Sequence, residues 1–458
     1  MSNVTIGNFD FGDVDGKKES QAENFESLFY SKDSYVEELV NNSVFIIMGR
    51  KGVGKTILAE FFKKTCDKKK TSNCKILDIS DFIELKLKSF NVNKISVEEM
   101  DVFWKYVLIL EIGSQIIEKA SWRERKFSKR FRNLSNYIAN KQFDLVEYST
   151  KDYAKISQSF STSSAGVGGE MTIEDSRKYQ SSNYYEGIKE LNQLVKAAMK
   201  KGKQYFIIYD DVDELADKVE DKDYFYKMMN SLIRASAKVN NDFQESGKVA
   251  KVILAFRKDI IDALQVNSSN LNKIISSDAI YVNWFSSQKD EKEHPITKML
   301  IHKMRASESA YEKLSDEAIY DKVFGQKSGH KTIIGFLIDN SFGRPRDIVK
   351  FMNIYKKNFS SDGRIEYKKL KDCLREYSIW FYQELNNELN IHKMKEELIE
   401  TIVLIKKYGQ PVFCKTFLHN IAKKKYTPLR LKFFSDYFGL DRAFLSRKLS
   451  PVKLKMCA

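Results

Sequence analysis

The sequence predicts an α/β fold in which helices cover both faces of a parallel sheet, followed by a mainly helical region. Three observations predict this fold. Short apolar runs typical of buried strands alternate with segments of helical periodicity up to about residue 286. A glycine-rich turn comes directly after the first of these runs, and beyond residue 286 the strand-like runs fade. Because strands that alternate with helices build parallel sheets, the fold class follows.

The five predicted strands are short, continuous apolar runs. Such runs, rather than alternating ones, are expected for strands that are buried on both faces. In chain order they are VFIIM (44–48), KILDI (75–79), YFIIY (205–209), KVILAF (251–256) and IYVNW (280–284).

The same pattern divides the chain into four parts. Residues 1–34 are polar and predicted to be irregular, residues 35–290 hold the five strands, and residues 291–385 and 386–458 are two helical parts. The link between the second and third strands is much longer than a minimal core needs. We therefore predict an inserted element over about residues 84–200, helical at first and then rich in serine and glycine.

Composition excludes several classes of protein. With 42% hydrophobic residues over 458 positions, the chain can bury cores and is not wholly disordered. The five cysteines form no CxxC pair and do not cluster with the histidines, which favours reduced thiols in a cytoplasmic protein over disulfides or zinc. No signal peptide is recognisable, and no apolar run approaches the ~20 residues that cross a bilayer. We therefore expect no membrane partner.

The turn after the first strand reads GRKGVGKT and matches the pattern GxxxxGK(S/T) at every fixed position. Glycines let the backbone N–H groups point inward, where they and the following helix N-terminus bind phosphate oxygens. Lys55 is expected to reach the β- and γ-phosphates, and the Thr56 hydroxyl to bind Mg²⁺. The alternative is a glycine-rich turn that arose by chance. The candidate phosphate loop comprises Gly49, Arg50, Lys51, Gly52, Val53, Gly54, Lys55 and Thr56.

Acidic residues follow the third strand directly, in the stretch DDVDE (210–214). Carboxylates at the end of a buried strand repel one another unless a cation is present. We therefore predict that Asp210 binds Mg²⁺ and that Asp211 orients or deprotonates the attacking water. Asp213 or Glu214 could take the role of Asp211. The alternative for the whole stretch is a solvated helix start, since carboxylates suit helix N-termini.

Two arginines are candidates for contacts to the γ-phosphate. Arg257 follows the fourth strand, and ligands of parallel α/β sheets lie at the carboxyl ends of strands. Its alternative role is an ion pair with Asp259 or Asp262. Arg346 lies in GRPRD (343–347), where the proline also predicts a plain helix start.

Together these motifs resemble P-loop ATPases of the additional-strand class, close to the AAA+ and STAND groups. The chain looks most like the bacterial FunZ-type P-loop ATPases, and the resemblance covers roughly residues 35–350. It rests on four stretches, which are GRKGVGKT (49–56), IIYDDVDEL (207–215), LAFRKDI (254–260) and GRPRDI (343–348).

The resemblance implies a sheet of order 5-1-4-3-2 and a helical lid, residues 291–385, that carries the arginine of its GxxR motif, Arg346. It also implies Mg²⁺-dependent ATP hydrolysis, or ATP/ADP exchange used as a switch, in a bacterial sensing or defence role. Many AAA+ proteins have glutamate where this chain has Asp211, whereas STAND proteins often carry Asp-Asp and hydrolyse slowly. Slow turnover is therefore expected. Related ATPases often work as oligomers, so a homo-oligomer is an expectation too.

The C-terminal part is strongly basic. Residues 391–458 hold 15 Lys/Arg and 5 Asp/Glu, which is about two-thirds of the net charge of +15. A small helical, winged-helix-like domain there could bind nucleic acid, and the alternative is a face for an acidic protein partner. The rival function for the chain is thus an initiator-type nucleic-acid-binding protein gated by ATP. A second basic run, from Trp122 to Arg132, is interpreted as a solvated helix face rather than a nucleic-acid contact.

Overall fold

The structure is a computed structural model of the 458-residue chain. It describes residues 4–41, 43–78, 97–147, 187–212, 222–265, 269–286 and 290–389. The chain divides into two compact units. The sheet unit comprises residues 33–50 and 54–283, and the helical unit comprises residues 1–32, 51–53 and 284–458.

A five-stranded parallel sheet forms the centre of the sheet unit. Its strands lie in the order β2-β3-β4-β1-β5, and every neighbouring pair is parallel. Read from the other edge, this is the predicted order 5-1-4-3-2, which is confirmed. The strands are β1 (Ile46–Gly49), β2 (Ser72–Asp78), β3 (Gln204–Asp210), β4 (Val249–Arg257) and β5 (Ala279–Tyr281).

Sixteen helices are seen in the described parts of the chain. Those of the first half are α1 (Gly16–Ser20), α2 (Phe25–Leu28), α3 (Tyr35–Asn41), α4 (Lys55–Lys68), α5 (Val97–Glu118), α6 (Trp122–Phe127), α7 (Lys129–Glu147) and α8 (187–198). Those of the second half are α9 (Lys222–Glu245), α10 (Lys258–Gln265), α11 (Ser269–Asp278), α12 (Pro295–Ser307), α13 (Asp316–Phe324), α14 (Ile333–Asp339), α15 (Pro345–Asn358) and α16 (Tyr367–Leu389).

Helices pack on the sheet through apolar side chains and a few buried polar bonds. The ring of Phe62 on α4 meets Phe206 of β3 edge-on, with centroids 5.1 Å apart. Gln115 on α5 is fully buried and donates from Nε2 to the carbonyl oxygen of Phe206 at 3.1 Å. Both contacts converge on β3, so the strand that carries the acidic residues is fixed between helices.

The helical unit contains α1, α2, α12 to α16 and a two-stranded antiparallel hairpin, β6 (Lys327–Ser328) and β7 (Lys331–Thr332). Pro345 occupies the first turn of α15, so the predicted helix start in GRPRD is confirmed. None of the helices in the described ranges is both long and apolar enough to cross a membrane.

The N-terminal segment differs from the irregular segment expected. Residues 4–29 form a 3-10 turn and the short helices α1 and α2, and they bury apolar side chains within the helical unit. Glu19 and Lys303, 4% and 6% exposed, form an ion pair of 2.7 Å inside this unit. The expectation failed because a few apolar residues among polar ones carry no periodic signal. The buried ones are Ile6, Phe9, Phe11, Phe25 and Leu28.

Several predicted features fall outside the described residues. They include the serine- and glycine-rich portion of the inserted element, the residues Asp213 and Glu214, and the basic C-terminal part from residue 390 onward. The helical portion of the inserted element is present as α5 to α8.

Candidate functional site

Three neighbouring strands bring the predicted site residues to one edge of the sheet. β3, β4 and β1 are adjacent and parallel, and they end in Asp210, Arg257 and Gly49. Gly49 and Arg257 are direct partners in the register of β1 and β4. The carboxyl ends of parallel strands are where open α/β sheets bind ligands.

The glycine-rich turn runs from the end of β1 to the start of α4. Gly52 and Gly54 have φ angles of +78° and +99°, which side chains with a Cβ rarely adopt. The second glycine immediately precedes Lys55, the first residue of α4. These left-handed positions allow the chain to reverse and to present the N-terminus of a 14-residue helix to the turn.

Lys55 points into this turn. Its side chain is buried, and Nζ donates to the carbonyl oxygens of Gly49 and Arg50, both at 3.3 Å. A lysine held inside a loop of backbone groups can place its charge on an anion that those groups surround.

Asp210 is the most perturbed carboxylate of the site. It is 1% exposed, and neither of its carboxylate oxygens accepts a well-formed hydrogen bond from any described residue. Burial, followed by the charge of Asp211, raises the pKa of Asp210 to about 7, against the opposing effects of the Thr56 hydroxyl and the Lys55 ammonium. A buried carboxylate with open oxygens beside a hydroxyl suits a hard cation such as Mg²⁺, which binds through one or two carboxylates plus phosphate oxygens.

Asp211 has an unusual backbone. Its φ of 51° makes it the single non-glycine residue with positive φ in the described ranges. Aspartate tolerates this left-handed region better than most residues, because its short polar side chain can bond locally. The conformation turns the chain immediately after Asp210.

Arg257 forms an ion pair with Asp259, which is the alternative to a contact with the γ-phosphate. Nε and Nη2 donate to the two carboxylate oxygens of Asp259 at 3.1 and 2.6 Å. The arginine is 4% exposed at the end of β4, whereas Asp262 pairs with Lys258 instead. A bidentate pair of this kind fixes the plane of a guanidinium group.

The helical unit includes residues 51–53 of the glycine-rich turn together with the start of α15. Within it, the backbone N–H of Arg346 donates to the carbonyl oxygen of Gly52 at 3.3 Å, and Nη1 donates to Glu384 at 3.0 Å. Arg346 Nε is buried and has no hydrogen-bond partner in the described ranges. Lys51 approaches Glu384 to 3.8 Å.

Arg344 was not singled out from the sequence, yet it is more buried than Arg346. It forms a bidentate pair with Asp347, at 2.9 Å for both bonds, and donates to the carbonyl oxygen of Lys51 at 3.1 Å. Asp347 is fully buried. In the sequence, the signal for this ion pair is the spacing of three residues between Arg344 and Asp347 at a helix start. Arg344 therefore holds the helix start, which leaves Arg346 as the arginine with unused donors.

The fold and the site define an α/β protein with a five-stranded parallel sheet, a glycine-rich turn at the carboxyl edge of the sheet and a helical C-terminal domain. Residues 296–386 match a family described as the FunZ-associated C-terminal helical domain. The predicted FunZ-type relationship is confirmed by this match. Comparison with curated proteins and with solved structures finds no match.

Proposed function

We propose that this chain is a Mg²⁺-dependent ATP-binding switch of the P-loop class that hydrolyses ATP slowly. The observation that carries the proposal is Asp210, a buried carboxylate with two open oxygens at the end of the central strand. It lies beside Thr56 and Lys55 of a turn that matches the phosphate-loop pattern. Evolution rarely leaves such a group unsatisfied unless a ligand completes it.

Each site residue has a definite task in this proposal. The backbone N–H groups of residues 49–54 surround the phosphates, and Lys55 neutralises their charge. Thr56 and Asp210 hold the cation through oxygen atoms. When bound, ATP with Mg²⁺ supplies the phosphoanhydride bond that is cleaved.

Asp211 takes the role of the residue that positions water and accepts its proton. Its left-handed backbone lies at the point where the chain leaves β3, directly after Asp210. An aspartate in this role agrees with the slow hydrolysis that the resemblance implies.

ATP turnover and ATP affinity of the full-length protein test the proposal. Lys55→Ala is expected to abolish ATP binding, and Asp210→Asn to remove the Mg²⁺ dependence. Asp211→Asn should keep binding and lower turnover about 100-fold or more, which is the usual scale for losing a general base. Lys63→Ala is the matched control, because Lys63 lies on the same helix in an exposed ion pair with Asp67. Turnover that is unchanged in Lys55→Ala would contradict the proposal.

A second candidate is a nucleic-acid-binding protein of initiator type, in which ATP gates binding by the C-terminal region. The observation in its favour is the excess of 15 Lys/Arg over 5 Asp/Glu in residues 391–458. It predicts that DNA affinity differs between ATP- and ADP-loaded protein. Equal affinity in both nucleotide states would count against this candidate without affecting the first.

A further inference from the structure

A dense group of cations lies at the sheet edge opposite the candidate ATP site. Three segments contribute to it: residues 68–71 before β2, residues 121–133 around α6 and the start of α7, and residues 199–203 before β3. They hold twelve Lys/Arg and a single acidic residue, Glu124. We call this group the basic edge. Its cations are Lys68, Lys69, Lys70, Arg123, Arg125, Lys126, Lys129, Arg130, Arg132, Lys200, Lys201 and Lys203.

Contacts between the three segments place these cations side by side. Lys203 donates to the carbonyl oxygen of Lys70, which joins the residues before β2 to those before β3. Arg130 Nη1 donates at 3.3 Å to the carbonyl oxygen of Ala197, two residues before the third segment, and Lys200 of that segment pairs with Glu124. Because β3 is seven residues long, the basic edge lies about 20 Å from Asp210. The phosphates bound at the proposed ATP site therefore do not account for it.

Glu124, the single acidic residue of the basic edge, already has partners within it. It closes a capping box with Ser121 at the start of α6 and pairs with Lys200, and this ion pair lowers the pKa of Glu124 to about 2. Its charge is thus balanced by one lysine. The six cations of residues 123–132 all have exposed side chains. The edge consequently carries a strong excess of positive charge.

Two aromatic side chains stand exposed among these cations. Trp122 is 62% exposed and Phe127 is 68% exposed, the two most exposed large apolar residues of the described ranges. Their rings meet edge-on with centroids 6.0 Å apart, and Lys126 Nζ lies 4.9 Å from the Trp122 ring and 5.7 Å from the Phe127 ring. Neither ring contributes to the core, so their exposure has no explanation in the packing of the sheet unit.

We propose that the basic edge is a binding surface for a single-stranded polynucleotide. Arginines of α6 and α7 would bind the phosphates, and unstacked bases would lie on the open faces of Trp122 and Phe127. A positively charged groove combined with exposed aromatic rings is the arrangement by which proteins bind single strands without regard to sequence. The phosphates and base faces are common to DNA and RNA, so this surface binds both.

Two other anionic partners fit the surface less well. An anionic membrane requires a broad apolar face, but the apolar residues of α7, including Phe131 and Leu134, are buried in the protein. Only the two rings of α6 remain for insertion. A DNA duplex keeps its bases stacked and would leave these rings without a partner, since it is bound through phosphates and groove edges.

Fluorescence anisotropy with the full-length protein and labelled 20-nucleotide oligo(dT) or oligo(U) tests this proposal. Arg125→Glu/Arg132→Glu is expected to weaken the binding of oligo(dT) and of oligo(U) at least tenfold. The slope of log affinity against log salt concentration should become shallower by about 0.7 for each phosphate contact that is lost. Lys313→Glu/Lys331→Glu is the matched control. It makes the same change in net charge at exposed positions of the helical unit and should leave affinity within about twofold.

A second pair of variants tests the rings separately from the charge. Trp122→Ala should weaken oligo(dT) binding about tenfold, whereas Trp122→Phe should retain most of the affinity because it keeps a stacking face. Trp122 is also the most exposed tryptophan in the described ranges, so binding should quench the protein's fluorescence in the wild type and not in Trp122→Phe.

Three results would overturn the proposal. Wild-type affinity in Arg125→Glu/Arg132→Glu would assign any binding to another region, such as residues 391–458. Tighter binding of a 20-base-pair duplex, unaffected by Trp122→Ala, would exclude stacking on the rings. Binding to phosphatidylserine vesicles through Trp122, with no binding of either oligonucleotide, would identify the partner as a membrane instead.

Discussion

Asp259 holds the guanidinium group of Arg257 by two hydrogen bonds, the shorter of them 2.6 Å between Nη2 and Oδ2. The arginine is 4% exposed at the carboxyl end of β4, in direct register with Gly49. The pair makes Arg257 a rigid cation next to the glycine-rich turn. It also means that a structural role and a γ-phosphate role must be separated by experiment.

Arg257→Met and Asp259→Asn separate these two roles. If Arg257 contacts the γ-phosphate, Arg257→Met should lower ATP turnover about 100-fold or more, because an arginine that stabilises the transferring phosphoryl group is worth at least that much. Asp259→Asn should keep turnover within about tenfold, since the cation remains. Turnover and thermal melting are measured together on both variants. Equal losses of stability with no difference in turnover would leave Arg257 a purely structural residue.

Asp210 is expected to make the stability of the protein depend on pH. Its pKa is raised from 3.8 to about 7, so the folded state binds more protons than the unfolded state between these values. The stabilising contribution is complete below pH 4 and is lost as the pH rises through 7. Asp210→Asn carries no charge to desolvate. The free energy of unfolding of the variant should therefore exceed that of the wild type at pH 8, by about 2–4 kcal/mol at most. The two values should converge toward pH 4.

Calorimetry at pH 5 and pH 8, with and without Mg²⁺ and ATP, measures this effect. A melting difference between wild type and Asp210→Asn that is the same at both pH values would show that Asp210 titrates normally. Adding Mg²⁺ with ATP at pH 8 should stabilise the wild type more than the variant, since only the wild type retains the carboxylate.

The ion pair between Glu19 and Lys303 anchors the N-terminal segment within the helical unit. Glu19→Ala would leave a buried ammonium without its partner, which typically costs about 3–5 kcal/mol. Glu23→Ala, at an exposed position of the same segment, is the control and should change stability by less than about 0.5 kcal/mol. Urea unfolding followed by circular dichroism measures both. An equal effect of the two variants would contradict the anchoring role.

Gly52 and Gly54 offer a matched pair for testing the contact with Arg346. Both have positive φ, but a Cβ at Gly52 would lie 3.1 Å from the Cβ of Arg346, whereas one at Gly54 would meet nothing within 4 Å. Gly54→Ala should therefore show only the backbone cost of about 1 kcal/mol, and Gly52→Ala that cost plus the cost of displacing Arg346. Thermal melting of Gly52→Ala, Arg346→Ala and the double variant measures the coupling. Exact additivity would indicate that the two residues do not interact.

The parallel sheet and its strand order could be predicted because they depend on features that are local in the sequence. Five continuous apolar runs mark strands that are buried on both faces. The glycine-rich turn identifies the run that it follows as the first strand of the sheet motif. The helix start at Pro345 was predictable for the same reason, since proline suits the first turn of a helix.

Other features were decided only by contacts between residues distant in the chain. The burial of Phe9 and Phe11 and the pairing of Glu19 with Lys303 depend on a partner nearly 300 residues away, which no periodicity reveals. The ion pair of Arg257 depends on where the Asp259 side chain points in the folded chain. For the run from Trp122 to Arg132 the sequence predicts a solvated helix face. Only the structure shows that Trp122 and Phe127 are exposed together among cations from three separate segments.

The sequence by itself determined the class of fold, the position of the turn and the identity of the carboxylates behind β3, because each follows from neighbours along the chain. The tertiary structure decided which charges are balanced and which remain open. The carboxylate oxygens of Asp210 stay without a hydrogen bond, whereas Arg344 forms a bidentate ion pair with Asp347. The physical reason is burial, because a charge removed from water needs a partner that is close in space and not only in sequence.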